Sequence, residues 1–430
     1  MAPSRLISVV LLITLALLQF YNEINSLEWV TGERRRGALV NTVVASEKQT
    51  NSSALVKGNG SLQQSHMIRN GTNDRLMRSG DLYETESRTH QDLPLCTRTQ
   101  VRNGRWHAAT YPRPPYISKT VHLNCQPPEY YNDHPYETFD WIPEDAATGL
   151  CRFATWNATD FCALVRRTVV SIIGDSLSWE QYSSLLQLLR QRVHQTDQHR
   201  SKSHNQNHVK YACYDENGRD AGVRIVFRND PRLRNVTDSI NNDFPLILIL
   251  NRGAHYVNDA QLQQEMIQLI EELHAWNTTC HRHGLVCHLF WRTTVPGHPQ
   301  CDPALELAPV NDLHAMEARV QNLSLYNTND ARLSFHWYDF QRQNQLVLRL
   351  LEESGLRYTA LDAYHINTLR PDGHRSRQDC LHNCYPGKMD VLNQLLLHFL
   401  RRERTPEHIN ELDKLYQQTI EKHRAATERI

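Results

Sequence analysis

The sequence lacks a net charge, an apolar run of membrane-spanning length and the cysteine–histidine spacing of a standard zinc finger. Its 47 basic and 47 acidic side chains cancel, so nothing favours a nucleic-acid partner or a basic membrane-binding surface. The N-terminal apolar run, residues 6–20, is shorter than the ~20 residues that usually cross a bilayer. At 430 residues, the chain is nevertheless long enough for one large domain with accessory segments.

The first 26 residues are typical of a secretory signal. Arg5 precedes the mostly apolar residues 6–20, and this order favours a targeting segment over a core helix. Two alternatives stay open: a signal peptide cleaved after Ser26, or an uncleaved signal anchor. In either case, we expect the remainder of the chain to be luminal or extracellular.

Glycosylation sequons and cysteines agree with that location. The Asn-x-Ser/Thr sequons, none with a central proline, are Asn51, Asn59, Asn70, Asn157, Asn235, Asn277 and Asn322. The ten cysteines form an even set, which in an oxidising compartment predicts disulfides whose pairing the sequence does not give.

Composition divides the rest of the chain into four segments. Residues 27–94 are polar without an apolar period, which predicts a disordered, glycosylated stem. Residues 95–164 are rich in cysteine, proline and aromatics. They predict an irregular, disulfide-stapled domain that packs on the main domain. Residues 165–403 form that main domain, and residues 404–430 predict a helical tail.

Within the main domain, apolar runs of strand length alternate with helical periodicities. The predicted strands are residues 169–173, 223–227, 244–250 and 284–291; the predicted helices are 176–190, 260–276, 315–323, 340–353 and 391–402. This alternation predicts a three-layer α/β/α sandwich with a mostly parallel sheet. Its active site is expected at the carboxyl ends of the strands. The histidine-containing residues 192–208 are interpreted as a solvated loop rather than a metal site.

Residues 169–190 organise this domain because a buried strand breaks at Gly174 and a helix begins near Ser176. A serine in the first turn of a helix lies beside free backbone N–H groups and the positive end of the helix dipole. Such a position suits a nucleophile whose reaction develops negative charge. The alternative is that Ser176 merely caps the helix.

Other polar clusters follow the later strands. Asp379 and His382 lie three residues apart and could supply the carboxylate and base that a serine nucleophile needs. We expect their spacing to place them on one side of a helical turn. Asn251 and Gly253 are candidates, with the Ser176 N–H, for an oxyanion hole. Capping or turn roles for Asp379 and Asn251 are the alternatives.

These motifs resemble a known family. The segments are GDSLS at 174–178, NRGAHY at 251–256, RTTVPGHPQC at 292–301, LRPDGH at 369–374 and DCLHNCYPG at 379–387. They resemble the PC-esterase branch of the GDSL/SGNH superfamily and, more closely, the trichome-birefringence-like polysaccharide O-acetyltransferases. Residues 96–151 are similar to the cysteine-rich N-terminal domain of that family.

The resemblance implies an SGNH-hydrolase-like fold and an enzyme that acetylates glycan hydroxyls. Ser176 would be the nucleophile, His382 the general base and Asp379 its orienting carboxylate. The side chains implied to shape the substrate site are Arg292, His298, Arg370 and His374. The implied location is the Golgi membrane with a luminal catalytic domain, or alternatively secretion. An acetyl donor, acetyl-CoA or another acyl donor, would be required, with no bound cofactor and no metal.

The sequence departs from the plant pattern beside the predicted nucleophile and base. Trp179 and Glu180 replace an Arg-Asn pair, and Leu381 and Asn383 flank His382 in place of Ser and Trp. We expect these substitutions to lie beside the acceptor cleft, so plant acceptors are not carried over.

Two other functions remain as alternatives. A carbohydrate acetylesterase would use the same acyl-serine, with water as the acceptor. A zinc-binding or non-catalytic glycan-binding module would use Cys280, Cys287 and Cys301 with neighbouring histidines as ligands. The oxidising compartment favours disulfides at these cysteines.

Overall fold

The computed structural model describes residues 93–109, 138–189, 207–214, 220–256, 258–302, 306, 308–326, 336–376 and 379–427. The predicted signal segment, nearly all of the predicted stem, its three sequons, Cys125 and most of residues 192–208 lie outside the described residues. In the part of the chain that is described, no helix is both long and apolar enough to cross a membrane.

Strands and helices are numbered separately in chain order. The strands are β1 (Gly104–Ala109), β2 (Thr138–Pro143), β3 (Val169–Gly174), β4 (His208–Tyr214), β5 (Asp220–Asn229), β6 (Ile247–Leu250), β7 (His288–Arg292), β8 (Thr359–Leu361), β9 (His374–Ser376) and β10 (Asp379–Asn383). The helices are α1 (Arg98–Arg102), α2 (Glu144–Ala147), α3 (Ala158–Leu164), α4 (Ser176–Leu188), α5 (Val236–Asp243), α6 (Asp259–Arg282), α7 (Leu313–Gln321), α8 (Phe340–Glu353), α9 (Ala363–Thr368), α10 (Lys388–Glu403) and α11 (Pro406–Thr427).

A six-stranded sheet in the order β4-β5-β3-β6-β7-β8 forms the centre of the fold. All neighbours are parallel except the edge pair β4 and β5, which is antiparallel. Alternate residues of the central strands enter different cores: Ile172 packs in the cluster that contains α4 and α10, and Ile173 in the cluster that contains α6 and α8. The predicted α/β fold with a mostly parallel sheet is therefore confirmed, with apolar cores on both faces.

Several predicted strand boundaries are wrong for local backbone reasons. The strand predicted from residue 244 begins only at Ile247, because Phe244 ends α5 in the left-handed conformation, with φ of 42°. The strand predicted from residue 284 begins at His288, because Gly284 has φ of 68° and a disulfide ties Cys287 back to Cys280 in the last turn of α6. His208, assigned from the sequence to a solvated loop, begins strand β4.

The described part of the cysteine-rich segment packs on the main domain, as predicted. β1 and β2 pair antiparallel with Trp106 opposite Trp141, and the two rings meet edge to face at 5.6 Å. Both rings are buried in the same core as the sheet. The Trp106 indole donates a hydrogen bond to the carbonyl of Ile366 at 3.0 Å. The aromatics thus bury their surface against the main domain and do not form a separate core.

The described cysteines lie in disulfides. The pairs are Cys96–Cys151, Cys162–Cys213, Cys280–Cys287 and Cys301–Cys380, and Cys384 is also disulfide-bonded. The pairs Cys280–Cys287 and Cys301–Cys380 engage every thiol on which the zinc alternative depends. Within the described residues, no group of three or more potential metal ligands is found.

Candidate active site

The turn that carries Ser176 joins β3 to α4. The Asp175 carboxylate accepts hydrogen bonds from the backbone N–H groups of Leu177 at 3.0 Å and Ser178 at 3.3 Å. The Ser176 N–H takes no part in this cap and lies at the positive end of the helix dipole. Gly174 has φ of 157°, and a Cβ there would lie 2.2 Å from Ser178 Oγ. The turn therefore requires glycine at this position.

Ser176, His382 and Asp379 lie together, although Ser176 and His382 are 206 positions apart. His382 Nε2 is 2.8 Å from Ser176 Oγ. His382 Nδ1 is 2.9 and 3.1 Å from the two Asp379 carboxylate oxygens. With Nδ1–H donating to Asp379, Nε2 is free to accept the serine hydroxyl proton. This is the geometry of a serine nucleophile, a general base and an orienting carboxylate.

The local structure that brings Asp379 and His382 together differs from the predicted helical turn. The two residues belong to β10, and its antiparallel pairing with β9 shifts register between Asp379 and Asn383. In a regular strand, side chains three residues apart point to opposite faces. The irregular pairing here instead leaves both side chains within hydrogen-bond distance.

Burial and charge act in opposite directions on this pair. Burial alone would raise the pKa of Asp379, but its hydrogen bond with His382 and the His382 charge lower the pKa to about 2. Burial alone would lower the pKa of His382, but the hydrogen bond to Asp379 and the charges of Glu180 and Asp379 outweigh it. The pKa of His382 is therefore raised above 6.5.

We expect the rate to fall with decreasing pH as His382 becomes protonated. Only neutral His382 can accept the Ser176 proton. Because the pKa of His382 is raised above 6.5, activity should be lost at a higher pH than for an ordinary histidine. Asp379, with a pKa of about 2, stays ionised throughout this range. The kcat/KM profile for an acyl ester checks this expectation, and an acid limb centred below pH 6.5 would contradict it.

The oxyanion-hole candidates lie at the end of β6. Both hydrogens of the Asn251 amide are engaged: Nδ2 donates to the Arg292 carbonyl at 2.9 Å and to Thr294 Oγ1 at 3.0 Å. Gly253 has φ of 154°, and a Cβ there would lie 2.4 Å from Thr294 Oγ1. The Gly253 backbone therefore packs closely on Thr294. Their oxyanion role stays a prediction, and for Asn251 it requires one of these hydrogen bonds to be exchanged.

Arg292 is completely buried and lies next to the turn that carries Ser176. Its guanidinium donates to Ser178 Oγ at 2.9 Å and lies 3.9 Å from Asp175. Burial lowers the pKa of Arg292 to about 10, with Asp175 and Glu180 opposing the shift. The predicted substrate-shaping side chain thus contacts the turn that presents Ser176.

His298 and His374 form a buried contact behind the base. Their facing ring nitrogens, Nδ1 of His298 and Nε2 of His374, are 2.7 Å apart. At the two ends, His298 Nε2 is 2.8 Å from the Thr368 carbonyl and His374 Nδ1 is 3.1 Å from the His382 carbonyl. Lys388 Nζ lies 3.4 Å from His374 Nε2. These two predicted substrate residues therefore support the backbone at His382.

Arg370 joins the cysteine-rich segment to the main domain. It forms a bidentate ion pair with Asp372: Arg370 Nε donates to Oδ1 at 2.8 Å and to Oδ2 at 3.0 Å, and Nη2 donates to Oδ2 at 2.8 Å. The guanidinium also stacks over the rings of Trp106 and Phe139. Its side chain is buried. All four side chains predicted to shape the substrate site are therefore buried: Arg292, His298, Arg370 and His374.

Two of the residues that depart from the plant pattern, Glu180 and Asn383, contact each other. Glu180 accepts hydrogen bonds from the backbone and side chain of Asn383. Glu180, Leu381 and Asn383 are buried. The sequence places Glu180 beside the predicted acceptor cleft and does not predict its contact with Asn383. Its spacing of four residues from Ser176 was the available signal, because such side chains share one helix face.

Trp179 belongs to an aromatic group on α4 and the neighbouring sheet edge. Its ring is 4.5 Å from His208, 5.1 Å from Phe227 and 5.2 Å from Tyr182, measured between ring centroids. Trp179 is partly buried against the core. The two neighbouring substitutions, at 179 and 180, therefore have different surroundings.

No protein-family model matches the chain. Xyloglucan O-acetyltransferase 4 of Populus trichocarpa is 24% identical over 324 residues, covering 63% of this chain and 72% of that protein. Protein trichome birefringence-like 6 of Arabidopsis thaliana is 24% identical over 307 residues, covering 62% of each. Protein trichome birefringence-like 19 of the same plant is 36% identical over 76 residues, or 15% of this chain and 18% of that one. The resemblance to trichome-birefringence-like proteins predicted from the motifs is therefore confirmed over about 62% of the chain.

Proposed function

We propose that this protein is a serine-dependent O-acetyltransferase that moves an acetyl group onto a sugar hydroxyl of a polysaccharide. The 2.8 Å contact between Ser176 Oγ and His382 Nε2, with Asp379 behind the imidazole, carries this proposal. The relative named as a xyloglucan O-acetyltransferase supports the reaction class. On this proposal, the fold is of the SGNH-hydrolase type.

The first half of the proposed reaction loads the serine. Ser176 Oγ attacks the carbonyl carbon of an acetyl ester or thioester while His382 Nε2 takes the hydroxyl proton. The oxyanion that forms lies near the Ser176 N–H at the start of α4. As the intermediate collapses, the bond to the donor's leaving group breaks, and His382 returns the proton to that group. Ser176 is then an acetyl ester and His382 is neutral again.

The second half transfers the acetyl group. His382 Nε2 takes the proton of a sugar hydroxyl, whose oxygen attacks the acetyl-serine carbonyl carbon. The bond between that carbon and Ser176 Oγ breaks, and the proton passes to Oγ. Asp379 holds the imidazole in the required tautomer and stabilises its charged form in both halves. With water as the acceptor, the same steps describe the alternative function, a carbohydrate acetylesterase.

The proposed setting is the secretory pathway, with a Golgi luminal catalytic domain held by a signal anchor, or a secreted enzyme. The disulfides within the described residues support an oxidising compartment. Three sequon asparagines within the described residues, Asn157, Asn235 and Asn322, are exposed. The proposed partners are a polysaccharide acceptor and an acyl donor such as acetyl-CoA, without nucleic acid.

Acetyl transfer by the full chain tests the proposal. The protein is incubated with acetyl-CoA or a simple acetyl ester, with and without a panel of plant and animal oligosaccharides. We expect a mass increase of one acetyl group on an oligosaccharide and, without acceptor, on the Ser176 peptide. Ser176→Ala serves as the control and should show neither product. Acetate release that no oligosaccharide changes would support the esterase and contradict the transferase.

A further inference from the structure

Glu180 is a completely buried carboxylate one helical turn beyond Ser176. A buried carboxylate is costly unless hydrogen bonds or an opposite charge compensate it. Its compensating partners come from β9 and β10, the pair of strands that carries His382. This arrangement links the helix that bears the nucleophile to the strand that bears the base.

Three groups hold the Glu180 carboxylate. The Asn383 backbone N–H donates to both oxygens, at 2.9 and 3.1 Å, and Asn383 Nδ2 donates at 2.7 Å. The Arg375 guanidinium donates at 2.7 Å. Hydrogen bonds to a charged acceptor are stronger than neutral ones, so this contact fixes the backbone at Asn383 firmly.

The same contacts position His382, because Asn383 directly follows it. On one side, Glu180 holds the N–H of the His382–Asn383 peptide. On the other side, the His374 ring nitrogen lies 3.1 Å from the carbonyl of that same peptide. The peptide unit between His382 and Asn383 is therefore held at both polar ends. The imidazole orientation needed for the 2.8 Å contact with Ser176 depends on this peptide.

Charged and titratable groups approach Glu180 and His382 from every neighbouring element. They are Asp379 of β10, His374 and Arg375 of β9, Arg292 of β7, Lys388 of α10, and Tyr385 between β10 and α10. For the His382 imidazolium, Asp379 and Glu180 are the stabilising negative charges, and Arg375 is an opposing positive one.

We propose that Glu180 is a positioning residue of the acetyl-transfer site: its buried carboxylate fixes the peptide after His382 and places a second negative charge, besides Asp379, beside the base. This inference rests on the proposed function, which gives His382 the role of base. In support, burial lowers the pKa of His382, and the contributions of Asp379 and of the Glu180 charge outweigh it. The charge of Arg375 lowers the pKa of His382.

Glu180→Gln removes the charge while the shape of the contact can be kept. One carboxylate oxygen remains as an acceptor for the Asn383 N–H. The introduced amide nitrogen would face Asn383 Nδ2, but rotation of the Asn383 amide presents Oδ1 instead. Among the described residues, that oxygen is buried without a hydrogen-bond partner, so rotation exchanges the bond donated by Asn383 Nδ2 for one that Oδ1 accepts from the introduced amide. Arg375→Gln is the matched change of opposite sign.

Titration of the histidine ring signals of the full chain by NMR tests the proposal without any turnover. The His382 signal is assigned by its absence in His382→Gln. We expect Glu180→Gln to lower the pKa of His382 and Arg375→Gln to raise it, because each variant removes one of the charges that act on the imidazolium. The double variant should return close to wild type. An unchanged or raised pKa in Glu180→Gln would overturn the proposal.

A matched control separates charge from general loss of packing. Asp243, which is also buried and pairs with Arg224 and Arg228, provides it. Asp243→Asn should change stability without changing the His382 titration. If Glu180→Gln alone does not fold, the double variant is compared with Arg375→Gln: a lower pKa of His382 in the double variant supports the proposal, and an equal or higher one overturns it. Shifted titrations in a protein without acetyl transfer would refute the proposed function and keep the charge effect of Glu180.

Discussion

Replacing Ser176 with alanine is expected to lower acetyl transfer by at least about 10³-fold and to leave the protein folded. The change removes the Oγ atom that lies 2.8 Å from His382. It leaves the Asp175 cap of α4, which uses the backbone of Leu177 and Ser178, in place. Transfer rates to an oligosaccharide, together with covalent labelling by a fluorophosphonate, measure the loss, and circular dichroism checks the fold.

Ser178→Ala is the matched control, because Ser178 lies in the same turn and its hydroxyl accepts from buried Arg292. It should cost stability, since it leaves a buried donor without that acceptor, while labelling of Ser176 persists. Equal losses of labelling in Ser176→Ala and Ser178→Ala would contradict the assignment of Ser176 as nucleophile.

Asp379→Asn should retain the fold and lose about 10⁴-fold in rate, because the imidazole then favours the wrong tautomer.

Removing the Cys301–Cys380 disulfide is expected to cost more stability than removing any other of the four disulfides whose two cysteines the structure describes. The bond closes a sequence separation of 79 residues, for which the chain-entropy estimate is roughly 4–5 kcal/mol. It joins the segment after β7 to β10, and the backbone N–H of His298 donates to the Cys380 carbonyl at 2.9 Å beside it. Cys380 directly follows Asp379, so activity should fall as well. Urea denaturation of the Cys301→Ser/Cys380→Ser variant measures the change.

The Cys280–Cys287 disulfide provides the comparison for this prediction. Its sequence separation is only 7 residues, which corresponds to roughly 2 kcal/mol in the same estimate. It lies at the end of α6, and its removal should leave acetyl transfer unchanged. If both double variants lost equal stability, or if activity survived without the Cys301–Cys380 bond at a temperature where the variant is folded, the prediction would be wrong.

The sequence predicts four of the six strands of the central sheet, β3, β5, β6 and β7, and the candidate triad because these depend on local patterns. Residues 169–173 are apolar apart from Ser171, and residues 247–250 are an unbroken apolar run. Such segments identify strands buried on both faces. Asp379 directly precedes Cys380, and His382 lies between Cys380 and Cys384. The rule for strand ends places polar clusters at one edge of the sheet. Residue type and order were sufficient to select Ser176, His382 and Asp379 from the chain.

The sequence does not predict contacts that join distant segments. Arg292 reaches Ser178 across 114 positions, and Asn383 reaches Glu180 across 203. No periodicity encodes such pairs, so Arg292 was interpreted as a substrate residue. β10 was interpreted as a helical turn because a short polar strand has no apolar alternation to identify it. Its irregular register with β9 appears only in three dimensions.

The contact between His298 and His374 has a consequence for how protons are distributed behind the base. Three contacts link the Thr368 carbonyl, the His298 ring, the His374 ring and the His382 carbonyl in that order. Each contact needs one hydrogen to be a hydrogen bond, but two neutral imidazoles carry only two N–H groups. Burial, followed by the charge of Lys388, lowers the pKa of both rings well below 6.5, which favours the neutral forms. The tautomer of one ring therefore constrains that of the other. A substitution at His298 is thus expected to change which nitrogen of His374 carries the hydrogen, and with it the contact to the His382 carbonyl.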